Sequence, residues 1–252
     1  MFDSQFGSYP DSTYSAPGDT GTLGYVGAQK LCEAMMGQDL MGFHPDSVFR
    51  SDGTAVRSLA AGGTTTVQLY NPTTIPARLG AYLPLENANA YPLHELYANP
   101  GNLDYTGTAA PANSNWHYVL SDVYNRVTNS RTGKKVGMPV LYYKANTSKQ
   151  SHDLVNPNNP DNIYNWLDNR ELLELGKPFD PAGSAHRLLR YTGTPAEAEG
   201  VRFYWNIRND KVSISRPYRA DSYILISAGW DGEYGTADDI CNFEWAFRDR
   251  LE

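Results

Sequence analysis

Ser222-Tyr-Ile-Leu-Ile-Ser-Ala-Gly-Trp-Asp-Gly-Glu-Tyr-Gly-Thr-Ala-Asp-Asp-Ile-Cys-Asn-Phe-Glu-Trp245 is the stretch whose reading decides the fold. Residues 222–228 are almost continuously apolar and β-prone, which predicts a central strand. Gly229 to Asp239 is a tight acidic loop. Ile240 to Trp245 has the composition of a second strand. A strand, a short glycine-rich turn and another strand point to an antiparallel sheet.

The loop also has the composition of a cation site. Calcium takes six to eight oxygens, from carboxylates, main-chain carbonyls, hydroxyls and water. Asp231 opens the loop, and Asp238 and Asp239 close it. Gly232 and Gly235 let the backbone turn its carbonyls inward, and Thr236 adds a hydroxyl. The spacing is not that of an EF-hand, whose alternating ligands and closing Glu are missing. An acidic β-turn, with Asp favouring turn geometry, is the competing reading. Magnesium fits less well, because it prefers a small octahedral site and keeps most of its waters.

Working outward, Val201 to Ile207 alternates and predicts a strand, Asn209-Asp210 a turn, and Lys211 to Ser215 a further strand. Asn162 to Leu175 predicts a helix ended by Gly176-Lys-Pro178. Tyr118–Tyr124 and Met138–Lys144 read as strands joined by a turn-rich connector at 129–134. Thr64–Tyr70 reads as a strand, and Leu93–Ala98 as a helical turn. Residues 99–115 and 145–162 are polar, and both predict surface loops. Tyr25 to Met41 predicts a helix with Ala28, Leu31, Cys32, Met35 and Met36 on one face.

Two parts of the chain resemble the major pseudopilins of the type II secretion system and type IV pilin-like proteins. Ser227 to Phe243 is similar to their C-terminal strand, glycine-rich acidic calcium loop and Asp-Ile-x-Asn-aromatic segment. Phe6-Gly-Ser-Tyr-Pro-Asp-Ser12 resembles the segment that follows their long N-terminal helix, and Gly27–Met36 sits where their second helix does. The resemblance covers roughly residues 6–42 and 201–245. It implies an α+β, pilin-like head, with a small antiparallel sheet packed on helices. The head would be a single domain over 1–252, elaborated by a long irregular insertion at 43–200. It implies calcium held by the Asp231, Asp238 and Asp239 carboxylates, the Thr236 hydroxyl and main-chain oxygens near Ala228 and Glu233. Trp230 departs from the family pattern, which has a small residue or Pro there.

The resemblance further implies a non-enzymatic subunit of a homo-oligomeric pseudopilus or pilus-like filament, whose partners are other pilin subunits. Location would be periplasmic or on the cell surface, with inner-membrane anchoring before assembly. The family's prepilin leader and long apolar helix are not in this sequence, so the expectation is a head cut from a longer chain, with Met1 an added start. The alternative reading is a carbohydrate- or surface-binding module on the same scaffold, drawn from the Tyr- and Asn-rich middle.

Composition narrows the remaining classes. The chain has 252 residues, 18 Tyr, 22 Gly, 16 Pro and a formal charge of −7. Aromatic content suffices for a core, and the Gly and Pro content favours turns and loops over a helical bundle. Nucleic acid is excluded as a partner, because phosphate binding rests on clustered Lys and Arg. No apolar run approaches the ~20 residues that span a bilayer. Cys32 and Cys241 could close a disulfide or remain buried thiols. His44, His94, His117, His152 and His186 form no i, i+3 or i, i+4 pair, and no nucleophile elbow or phosphate loop is present. Asp168 and Glu171 could mimic a glycosidase pair, but a solvated helix face is the simpler reading. No catalytic residue and no organic cofactor is expected.

Overall fold

The computed structural model describes residues 2–19, 21, 23–60, 62–105, 117–180, 182–189 and 198–245. In chain order the elements are α1 (Phe2–Phe6), α2 (Gly27–Met36), β1 (Thr54–Ser58), β2 (Thr64–Gln68), β3 (Ala90–Pro92), α3 (Leu93–Leu96), β4 (Tyr118–Leu120), β5 (Val127–Thr128), β6 (Lys135–Val136), β7 (Leu141–Lys144), α4 (Arg170–Glu174), α5 (Val201–Asn206), β8 (Tyr223–Ser227) and β9 (Ile240–Cys241). Short 3-10 turns at Pro72–Ala77, Gly101–Leu103 and Trp166–Asn169 punctuate the described residues. The architecture is α+β with small antiparallel sheets, which among the described residues are three two-stranded ribbons and one three-stranded sheet in the order β7-β8-β9.

The predicted 222–228 strand is β8, and it is central. Leu141 pairs with Ile226 and Lys144 with Tyr223 on one side, and Ser227 pairs with Ile240 on the other. Ile224 and Ile226 are fully buried. Strand β9 has only two residues because the Asn242 side chain then takes over the ladder. Its Oδ1 accepts from Leu225 N at 2.9 Å and its Nδ2 donates to Tyr223 O at 3.2 Å.

Helix α2 packs against β7 and β4. A Cβ on Gly27 would lie 2.3 Å from Tyr142 O, so only glycine allows helix and strand this close. Asn169 clamps the contact: its Oδ1 accepts from Ala28 N at 2.8 Å and its Nδ2 donates to Tyr142 O at 2.7 Å. The expected apolar face is only part of the burial pattern. Gln29, Lys30 and Glu33 are also buried, whereas Leu31 and Met35 are half-buried. Glu33 can be buried because Tyr25, Tyr70, Ser47 and Gln38 all donate to its carboxylate.

Several expected elements take another form. Val201 to Asn206 is a helix, not a strand. Its alternating pattern failed because residues on all sides of it, including Arg202 and Asn206, are buried. Lys211 to Ser215 is an exposed turn rather than a strand. The expected 162–175 helix is a 3-10 turn followed by the five-residue α4. The final strand stops at Cys241 rather than Trp245. Residues 106–115 of the expected 99–115 loop lie outside the described residues. Cys32 and Cys241 are both free thiols.

Segment 43–200 is no appendage to the core: it supplies β7, Asn169 and much of the main apolar cluster, including Leu93, Val119, Leu172 and Leu188. A second cluster gathers Phe2, Tyr25, Ala34, Phe43 and Phe49 around the far side of α2. Among the described residues, no helix is long and apolar enough to cross a membrane.

Candidate metal centre

The acidic loop is rooted in Ala228, which is fully buried at the end of β8. Gly229, Gly232 and Gly235 all have positive φ, the left-handed conformation that glycine adopts without a Cβ clash. The three turns fold the loop back on itself and bring the predicted side chains together. Asp238 Oδ2 accepts from Asp231 N at 2.9 Å, and Asp231 Oδ1 accepts from Glu233 N at 2.7 Å. Asp239 Oδ2 accepts from Gly235 N at 2.7 Å. The Thr236 hydroxyl lies 2.8 Å from Asp238 Oδ1, 3.1 Å from Glu233 O and 3.4 Å from Asp239 Oδ1.

Asp231, Asp238, Asp239, Thr236 and the Glu233 carbonyl therefore share one small network. The Glu233 carboxylate does not join it, but turns outward to Lys177 at 3.1 Å and Arg187 at 3.7 Å. Ala228 stays at the root of the loop. Trp230 projects into solvent, 70% exposed.

The electrostatics of the three carboxyls are set first by burial and then by their hydrogen bonds and mutual charge. Burial, reinforced by the charges of Asp231 and Asp238, raises the Asp239 pKa to about 8. Burial also raises Asp231, with the Asp238 charge adding to it. Asp238 goes the other way: burial opposes ionisation, but the Asp231 amide and the Thr236 hydroxyl outweigh it and hold the carboxyl below its ordinary range.

The donor set is all oxygen, the chemistry that calcium prefers and that soft metals do not. In the conformation described, the carboxylates face loop amides and the Thr236 hydroxyl. Among the described residues, no group of three or more His, Cys, Asp or Glu converges as a metal shell.

The loop is anchored by residues distant from it along the chain and by its own buried Tyr234. Tyr234 is fully buried, and its hydroxyl donates to Pro139 O. Its amide donates to His186 Nδ1 at 3.3 Å, and His186 Nε2 donates to Gly176 O at 3.0 Å. Leu188 N donates to Tyr234 O at 2.9 Å, and Trp245 Nε1 to Thr236 O at 2.7 Å. The one available signal was a large aromatic in the middle of an acidic turn, where small polar residues are usual.

The other candidates lie elsewhere in the fold. Asp104 sits between two rings, with His94 Nδ1 at 2.9 Å and His117 Nδ1 at 3.5 Å. His152 packs edge-on against Tyr204. Asp168 is not on a solvated helix face: it is 3% exposed and accepts from Ser12 Oγ at 2.5 Å. Glu171 is half-buried and pairs with Arg170 at 3.3 Å. Comparison with family models, with curated proteins and with solved structures returned no match.

Proposed function

We propose that this chain is the head of a pseudopilin- or type IV pilin-like filament subunit, non-enzymatic, and stabilised by calcium in the 228–239 loop. The observation that carries this reading is the loop itself. It sits on the end of the central strand, directly before the Ile240-Cys-Asn-Phe243 segment, and joins Asp231, Asp238, Asp239 and Thr236 in one network. A helix, α2, packed on β7 of the three-stranded sheet and on β4 is consistent with a pilin-like head.

Asp231, Asp238 and Asp239 would supply carboxylate oxygens, Thr236 its hydroxyl, and Ala228 and Glu233 main-chain carbonyls. Calcium would neutralise acids that now repel one another and tie the loop to the sheet. Filament contacts with like subunits, periplasmic or surface location and membrane anchoring through a preceding apolar helix belong to the same proposal.

The test is a thermal melt in calcium and in chelator. A ligand that binds only the folded form adds about 2.7 kcal/mol at a hundredfold excess over its dissociation constant. For a domain of this size that raises the midpoint by roughly 5–11 °C. Asp231→Ala should abolish the rise. An unchanged midpoint in calcium, with Asp231→Ala equally silent, would refute the metal site.

A further inference from the structure

A groove of about 610 Å³ runs between the end of β7, the Asn-rich 157–165 loop and the Asp11–Thr13 segment. That volume is within the roughly 300–1,000 Å³ of small-molecule sites. Its walls are held by their own side chains. Asn146 Oδ1 accepts from Ser148 N, Asn156 Oδ1 from Asn158 N, Asn159 Oδ1 from Asp161 N and Asn165 Oδ1 from Leu167 N, at 3.0–3.2 Å. Asn162 Oδ1 accepts from Asp153 N at 2.8 Å. Such a rim is ordered before any ligand arrives, which lowers the entropy lost on binding.

These bonds use the amide oxygens and leave donors over. The Nδ2 groups of Asn146, Asn158 and Asn165 have no hydrogen-bond partner among the described residues, and all three side chains are on exposed residues. Charge in the groove is largely cancelled. Lys30 neutralises Asp11 at 2.6 Å and Asp161 faces Lys149 at 3.5 Å. Asp168 lies under the floor, where burial raises its pKa to about 8, and its Oδ1 has no partner. Exposed Pro160 and Leu167 add apolar surface.

Amide donors, a nearly neutral lining and small apolar patches suit a ligand with many hydroxyls and C–H faces. A phosphate would meet only Lys144 without an ion-pair partner. An added peptide strand needs a free sheet edge, and this edge of β7 is occupied. Lys144 N donates to Ser12 Oγ at 2.9 Å, and Tyr142 O accepts from Asn169 Nδ2 at 2.7 Å. We propose that this groove binds a short oligosaccharide, with the Asn146, Asn158 and Asn165 amides and Lys144 donating to its hydroxyls. The inference stands apart from the filament reading, since it uses none of the loop residues.

The experiment is calorimetric titration of the 252-residue chain with a panel of di- and trisaccharides, neutral and uronic, alongside inorganic phosphate and a pool of polar peptides. At least one saccharide should bind saturably with a dissociation constant below about 1 mM. Thr147→Trp, which fills the groove from an exposed position, should weaken it at least about tenfold, and Lys144→Ala several-fold, both with unchanged melting. Lys149→Trp replaces Thr147→Trp should that variant melt early. Binding should persist in chelator, so that failure of the calcium reading leaves this one standing. The proposal is overturned if no saccharide binds, if the groove-filling variant binds as tightly as the parent, or if only phosphate or peptide binds.

Discussion

Gly229 is the hinge on which the acidic loop turns, and replacing it with Ala should cost far more than the same change at another left-handed glycine. Gly133, in the connector between β5 and β6, has φ +68°, and a Cβ there meets nothing within 4 Å. Gly133→Ala therefore isolates the backbone penalty, about 1–2 kcal/mol. Gly229 has a similar φ of +62°, but its Cβ would lie 2.2 Å from Asp238 O and 2.8 Å from Asp238 Oδ2. Relieving that overlap means moving the chain that closes the loop, an overpacking cost of about 1–3 kcal/mol more. At about 2–4 °C per kcal/mol for a domain of this size, an extra cost of about 2 kcal/mol lowers the midpoint by a further 4–8 °C. Differential scanning calorimetry of both variants, in chelator and in calcium, measures it. The proposed metal response should survive in Gly133→Ala and shrink in Gly229→Ala. If the two variants melt within 2 °C of each other in chelator, the close approach of Gly229 to Asp238 is not what shapes this loop.

Further outcomes follow from other contacts. Asn169→Ala removes both buried bonds between α2 and β7, leaving Ala28 N and Tyr142 O unpaired, and should cost about 2–6 kcal/mol by chemical denaturation. Loss below 1 kcal/mol would show that Asn169 is no clamp. Tyr234→Phe strips the bond to Pro139 O and should destabilise by about 1–3 kcal/mol, with a calorimetric midpoint indistinguishable from the parent as the contrary result. Burial lowers the His152 pKa to about 4 and that of His186 to about 3, from an ordinary value near 6.5. Their folded forms are neutral, so their contribution to stability is full above pH 6.5 and is lost as the pH falls through 4 towards 3. Melting from pH 7 to pH 4 should show that decline, and His152→Phe should flatten it; equal slopes in parent and variant would count against the assignment. Burial also raises both thiols above their ordinary range. Native Cys32 and Cys241 should therefore resist iodoacetamide until denaturant is added, and rapid native alkylation would contradict this.

Local chemistry was enough to find some of this protein. The run Ile224-Leu-Ile226 announced the central strand, because consecutive β-prone apolar residues favour a strand paired on both sides, although its burial alternates, with Ile224 and Ile226 buried and Leu225 half-buried. Gly229, Gly232 and Gly235 announced the turns, since positive φ is a property of the residue itself. Asp231, Thr236, Asp238 and Asp239 fell together because they are close along the chain. What the sequence could not determine depends on residues far apart in it. Val201–Asn206 alternates like a strand yet is a helix, since burial on all its sides removed the periodic signal. Asn169 reads as one more polar residue until it bridges Ala28 and Tyr142. Tyr234 and His186 hold the acidic loop only because Pro139 and Gly176 lie where their polar atoms end. The asparagines of 145–165 look like surface filler, and tertiary structure alone folds them into one groove. Propensity and turn chemistry act over a few residues and can be read along the chain. Burial and long-range hydrogen bonds exist only once the chain has brought its distant parts together.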